Sequence, residues 1–185
     1  MSFRKILFIV IPSVLLVSAI IYWLLGGFKS PQVEVVAVEG GYTLVGKHYL
    51  GTLKHPALQD ILDEVGQRWE SGQLPGVLTV AVLKEPVTDK DTVEQFIGVL
   101  LPATEQLKEL PEGYEIMEVE AQRAIRVSLD AHSSVWPTPD KLRQRAEEHA
   151  RENGLAIQPH ILLEKYYGPG HLEVELPLEP ATSVR

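Results

Sequence analysis

Two helix stops set 82 residues apart, Gly72 and Gly154, constrain this chain more than any other feature. A helical pattern runs up to each. Residues 55–71 carry Pro56 in the first turn and place Leu58, Ile61, Leu62, Val65 and Trp69 on one face, so Trp69 reads as core rather than a ligand platform. Residues 138–153 have Thr138 at the N-cap position, Pro139 at the first helical position and a thin apolar stripe of Leu142, Ala146 and Ala150. Two strand patterns follow each stop, at 77–83 and 93–101 in the first case and at 157–166 and 171–178 in the second. Strand-like stretches also precede each helix, at 33–38 and 42–50 around Gly40-Gly41, and at 114–119 and 121–129. The chain therefore reads as a unit of strand, helix, strand, strand used twice, and the 82-residue offset lays Val80 over Leu162 and Val82 over Glu164. One such unit has too few strands to cover a helix and close a core. Two side by side form one antiparallel sheet carrying both helices, which predicts an α+β fold of duplicated β-α-β-β units.

Ahead of this domain stands an apolar run at 6–28, 23 residues without a charge. At 1.5 Å per residue it is long enough for a bilayer core of roughly 30 Å. Tyr22 and Trp23 fall near one end, where interfacial aromatics belong, and no small-residue cleavage site follows. The expectation is one transmembrane helix at 1–28, a linker at 29–32, a domain at 33–180 with halves at about 33–103 and 112–180, and a tail at 181–185. Arg4 and Lys5 before the run put the N-terminus inside, which places a single-pass protein in the cell membrane with its C-terminal domain extracytoplasmic and the lipid bilayer as a partner.

Charge narrows the partners. Subtracting the three positive charges of residues 1–30 from the net −8 leaves −11 on residues 31–185. So acidic a domain is a poor nucleic-acid binder and a good neighbour for cations. With no cysteine, thiolate metal sites, disulfides and cysteine nucleophiles are excluded. No G-x-S-x-G, H-E-x-x-H or phosphate loop occurs, so nothing in the sequence asks for a cofactor or demands an enzyme. The six histidines, at 48, 55, 132, 149, 160 and 171, show no metal-ligand spacing on a shared helix face.

One carboxylate stands out. Glu164 lies between Leu162, Leu163 and the pair Tyr166-Tyr167, in a strand pattern that is otherwise mostly apolar. A carboxylate there is costly unless it has a partner or a task; the alternative is a solvated or paired rim position. Alternation puts Leu162, Glu164 and Tyr166 on one strand face.

The stretches VAVLKEPVTDKD, VEQFIGVLLP and HILLEKYYGPGHLEVELPL, with the helix ending at Gly154 ahead of them, resemble the GyrI-like family, the small-molecule (effector) binding domain also found in multidrug-sensing regulators. The resemblance covers roughly residues 33–180 and implies a tandem SHS2-like fold with a cleft between its halves. It implies an amphipathic or cationic small-molecule ligand there, contacted by a glutamate that matches Glu164 alone. Tyr166 and Leu162 share its face, Tyr166 either as an aromatic wall or as core. Trp136 either lines the cleft mouth or staples the entrance to the second helix. No helix-turn-helix precedes the domain, which argues against transcription control and for a membrane-anchored stand-alone version. Three functions compete: a tethered binding module, a hydrolase of electrophilic small molecules with Glu164 as base, and an adaptor for a protein partner.

Overall fold

A computed structural model describes residues 3–86, 88, 91–102 and 109–180, with side chains from residue 10 onward. The tail at 181–185 lies outside the described residues. An eight-stranded, wholly antiparallel sheet carries the chain in the order β1-β6-β8-β7-β3-β4-β2-β5. Its strands are β1 (Gln32–Ala37), β2 (Tyr42–Gly51), β3 (Val77–Lys84), β4 (Val93–Leu100), β5 (Glu115–Val119), β6 (Arg123–Leu129), β7 (Leu162–Tyr166) and β8 (Leu172–Pro177). The helices are α1 (Phe3–Leu24), α2 (Pro56–Glu70) and α3 (Pro139–Glu152).

Helices α2 and α3 start and stop for local reasons. His55 caps α2 by accepting the Ala57 N–H on its Nδ1 at 3.2 Å, and Pro56 fills the first turn, where a missing N–H costs nothing. Gly72 and Gly154 follow the two helices with φ of 74° and 62°, the left-handed turn that ends a helix without Cβ strain. Thr138 occupies the α3 cap position, yet its side chain makes no capping hydrogen bond. Both helices lie on the same face of the sheet. There Val65 and Leu58 of α2, and Leu142, Ala146 and Ala150 of α3, join Val45, Ile97, Ile125 and Val174 in the main core.

The sheet does not keep each half to itself. Strand β1 pairs with β6, and β5 pairs with β2, so the first strand of each half extends the other half's sheet. The stretches around Gly40-Gly41 are accordingly not partners. Residues 38–41 carry the chain from β1 to β2, six places away in the sheet order. In a flat sheet that is roughly 29 Å, whereas five peptide steps reach about 18 Å at most. The sheet must curl until its two edges approach at this end. Gly41 makes the approach possible: its φ is 80°, and a Cβ there would lie 2.6 Å from the Val119 carbonyl oxygen. The curled inner face holds a second core of Tyr42, Leu44, Ala81, Phe96, Ala124 and Leu163.

Two expectations are corrected. The strand expected over 157–166 is only Leu162–Tyr166, because Pro159 and His160 turn the chain, His160 with φ of 61°, and Ile157 keeps one isolated bridge to Leu178. The larger correction concerns residues 6–28. Among the described residues no helix is long and apolar enough to cross a membrane. Helix α1 contains Pro12, ends at Leu24, and leaves Leu25–Phe28 in a turn packed on the domain. The Leu25 carbonyl accepts the His132 N–H at 2.9 Å, and the Tyr22 and Phe28 rings meet edge-on at 5.0 Å. The apolar run is thus divided between helix and turn. The transmembrane helix, the bilayer as partner, the single-pass location and the extracytoplasmic placement are withdrawn with it.

Candidate functional site

Helix α2 packs on β2 and β4, and α3 on β1, β6 and β8. The central strands β3 and β7 lie between the two helices as the floor of a groove. Their register sets Leu78, Val80 and Val82 against Tyr166, Glu164 and Leu162, all on the helix-bearing face. Val80, Val82 and Leu162 are buried, whereas Glu164 and Tyr166 are half-buried. The Tyr166 hydroxyl donates to Glu164 Oε2 at 2.6 Å. The Trp136 ring lies 6.1 Å from that of Tyr166, tilted by 41°, and its indole N–H donates to the Ala131 carbonyl at 2.7 Å. Leu162 sits at the far end of the same face, on a cavity of 640 Å³ shared with Glu85, Arg143 and His160. The four residues singled out in the sequence therefore divide: Glu164, Tyr166 and Trp136 form a contiguous row, and Leu162 lies two positions along from Glu164.

The electrostatics of the row are one-sided. Burial raises the Glu164 pKa, the Tyr166 hydrogen bond acts against that rise, and the nearby carboxylates Asp140 and Glu85 add to it. Among the described residues no ion pair reaches Glu164. Arg143, the cation on the facing turn of α3, is held by Glu85 and Glu147. A carboxylate with a phenol donor, two acidic neighbours and no cation is suited to receive positive charge, or to take up a proton. Among the described residues no group of three His, Cys, Asp or Glu side chains gathers as metal donors.

The inner face of the sheet carries a polar cluster that the sequence reading missed. Glu175, fully buried on β8, accepts from Tyr42 Oη at 2.7 Å and Arg126 Nε at 2.7 Å, and its Oε2 lies 2.6 Å from Lys165 Nζ. Although burial acts in the opposite direction, Lys165, Tyr42 and Arg126 hold the Glu175 pKa below the usual carboxylate range. Beside it Glu173 accepts from Tyr167 Oη at 2.9 Å and contacts His171 Nε2 at 3.1 Å, and His171 Nδ1 reaches Asp130 at 2.5 Å. In the sequence these residues alternate with apolar ones and resemble a solvated strand face. Only the strand order, which sets β6, β8 and β7 side by side under Tyr42, turns them into a buried network.

No family model and no curated protein match the chain. Solved structures do share its fold. The EcmrR–DNA complex superposes with a TM-score of 0.55 at 12% identity, over 96% of this chain and 70% of EcmrR. The EcmrR C-terminal domain solved alone gives 0.52 at 10% identity, over 83% and 100% of the two chains. A hydrolase from Listeria innocua gives 0.51 at 11% identity, over 85% and 98%. At such identities the fold alone is shared. That fold fits the GyrI-like resemblance and transfers neither ligand nor activity.

Proposed function

We propose that residues 33–180 form a tandem SHS2-like small-molecule-binding module that takes an amphipathic organic cation in the groove over β3 and β7. Glu164 is its countercharge, Tyr166 and Trp136 present aromatic faces to it, and Leu162 extends the apolar floor. The observation that carries this reading is the half-buried Glu164 with no cation beside it among the described residues and two further carboxylates nearby. A shared fold with the C-terminal domain of EcmrR, a protein solved in complex with DNA, is in keeping with small-molecule binding.

A second reading has its own support. A carboxylate with a raised pKa beside a tyrosine hydroxyl suits general-base chemistry on an electrophilic small molecule, and one structure of this fold is a Listeria innocua hydrolase. One variant separates the two. Glu164→Gln keeps the shape and the acceptor for Tyr166 but removes the charge. For a cation binder, affinity for a lipophilic ammonium dye falls at least about tenfold, or 1.4 kcal/mol, while a neutral dye of the same shape binds as before. For a hydrolase, turnover collapses and binding of a neutral substrate holds. Equal loss of cationic and neutral dye in a folded variant would overturn the role given to Glu164.

A further inference from the structure

At the end of the sheet where the 37–43 turn brings its edges together lies a cavity of 710 Å³. Its walls come from the 37–43 turn, from Leu100, Leu101 and Pro102, and from Leu110 and Ile116, two large apolar side chains left exposed. Tyr42, Arg126, Lys165 and Glu175 line it as one mutually contacting polar cluster. Two cations thus stand beside the one buried carboxylate of the lining, Glu175. Glu39 and Glu118 also line the cavity, and both are exposed.

The cations have hydrogen-bonding capacity to spare. Arg126 uses Nε on Glu175 at 2.7 Å, with Glu173 a further 3.4 Å contact. Its Nη1 comes no closer than 3.8 Å to Glu34, beyond hydrogen-bond reach, so among the described residues the Nη1/Nη2 fork has no acceptor. Lys165, 3% exposed, has one carboxylate contact for three N–H groups. A free guanidinium fork is matched in shape by a carboxylate, which takes two parallel hydrogen bonds from it.

We propose that this cavity is a second ligand site, for a small carboxylate with an apolar body. The carboxylate sits on the Arg126 fork and Lys165, and the body lies along Leu100 and Leu101 toward Leu110 and Ile116. This site is independent of the groove, since it uses none of Glu164, Tyr166, Trp136 and Leu162. It also gives adjacent residues of β7 opposite tasks: Glu164 meets a cation on one side, and Lys165 an anion on the other.

The test titrates the full chain with 4-phenylbutyrate, 4-phenylbutylamine and 4-phenylbutanol, followed by calorimetry and by amide chemical shifts. Phenylbutyrate is expected to bind more tightly than the alcohol and to move the amides of residues 37–43, 100–101 and 165. Arg126→Gln should weaken it at least about tenfold, and Arg126→Lys, which keeps the charge and loses the fork, by several-fold, while Glu164→Gln leaves it unchanged. The shift map on the wild-type chain decides the matter even if an Arg126 variant fails to fold. Absence of binding, shifts confined to α3 and Glu164, or an affinity indifferent to Arg126 would each overturn the proposal.

Discussion

Ala81 and Leu163 face each other across the β3–β7 junction, and they are also 82 residues apart, the offset that lays Gly72 on Gly154. The neighbouring pairs obey the same rule. Val80 faces Glu164 and Val82 faces Leu162, and adding 82 to each first-half member exchanges the two pairs. A local two-fold axis therefore passes through the Ala81–Leu163 pair, and the groove is built around it. Its chemistry is not two-fold. Where one half offers Glu164 and Tyr166, the other offers Val82 and Lys84, so the floor carries one carboxylate set off the axis. A ligand with one positive charge would bind in a single orientation.

The Glu164 carboxyl carries a stability cost that pH exposes. Burial raises its pKa above the ordinary 4.5, so the fold binds the proton more tightly than the unfolded chain does. Stability from this group is greatest below 4.5 and declines as pH rises through the folded pKa, and the full penalty persists at neutral pH. Glu164→Gln is expected to raise neutral-pH stability by about 1 kcal/mol, or roughly 2–4 °C in melting temperature. The gain should vanish near pH 4. A Tm series from pH 4 to 8 on both proteins checks it, and an equal or lower Tm for the variant at pH 7 would count against the placement of the charge.

Glu175 has the opposite sign. Its pKa lies below the ordinary 4.5, so its contribution is fully present above that value and is lost as pH falls through the folded pKa. Removing the charge also strands Lys165 and Arg126 beside it. Glu175→Ala should cost about 3–5 kcal/mol at neutral pH. The double change Glu175→Leu with Lys165→Met, which deletes the buried pair together, should recover much of that loss. Denaturant melts of the three proteins give the comparison, and a double variant no better than the single would show that packing rather than charge dominates the site.

His171 is held between Asp130 and Glu173. Burial acts against its charged form, but the two carboxylates prevail and its pKa rises above the ordinary 6.5. Its contribution is therefore complete below 6.5 and is lost as pH rises through the folded value. A proton-NMR titration of the ring should place its midpoint above the ordinary 6.5. Asp130→Asn should lower that midpoint. No movement would mean that the short contact to Asp130 is not made in solution.

What the residues disclosed, and what they did not, follows from the range of the interactions. Helices α2 and α3 are local objects, with prolines in their first turns and glycines past their ends, and the sequence placed both within one residue at each end. Strands β3, β4 and β8 were equally legible from alternation. The start of β7 was not, since His160 adopts a left-handed φ that its residue type does not advertise. The exchange of β1 and β5 between halves left no local signal at all, because a strand pattern does not say which strand it pairs with. The inner-face cluster was hidden for the same reason: Tyr42 and Glu175 are 133 residues apart and meet only after the sheet has curled. The apolar run at 6–28 misleads in the opposite way, since its length suits one helix while its last four residues turn onto the domain.

The strand exchange makes the fold testable as two pieces. Strand β1 is held by β6 through the register Gln32↔Ser128 to Ala37↔Arg123, and β5 is held by β2 from Tyr42↔Val119 to Gly46↔Glu115. Each half cut away alone keeps a helix and three strands, but its own first strand has lost its partner. It also exposes the β3 or β7 edge with the apolar groove floor beside it, which favours aggregation or a loose collapsed state over a packed one. A cut between residues 106 and 107 separates the halves without breaking any of the eight strands. Fragments 30–106 and 107–185 are each expected to give poorly dispersed amide spectra and to melt without a cooperative transition. Mixed at equal concentration, they should regain a dispersed spectrum, with Val36 and Ala124 amides protected from hydrogen exchange because that pair, in step with the Val38 N–H to Gln122 carbonyl bond, exchanges its hydrogen bonds across the swapped β1–β6 junction. If fragment 107–185 alone showed that protection, β1 would be dispensable, and the two halves would be independent units rather than one exchanged sheet.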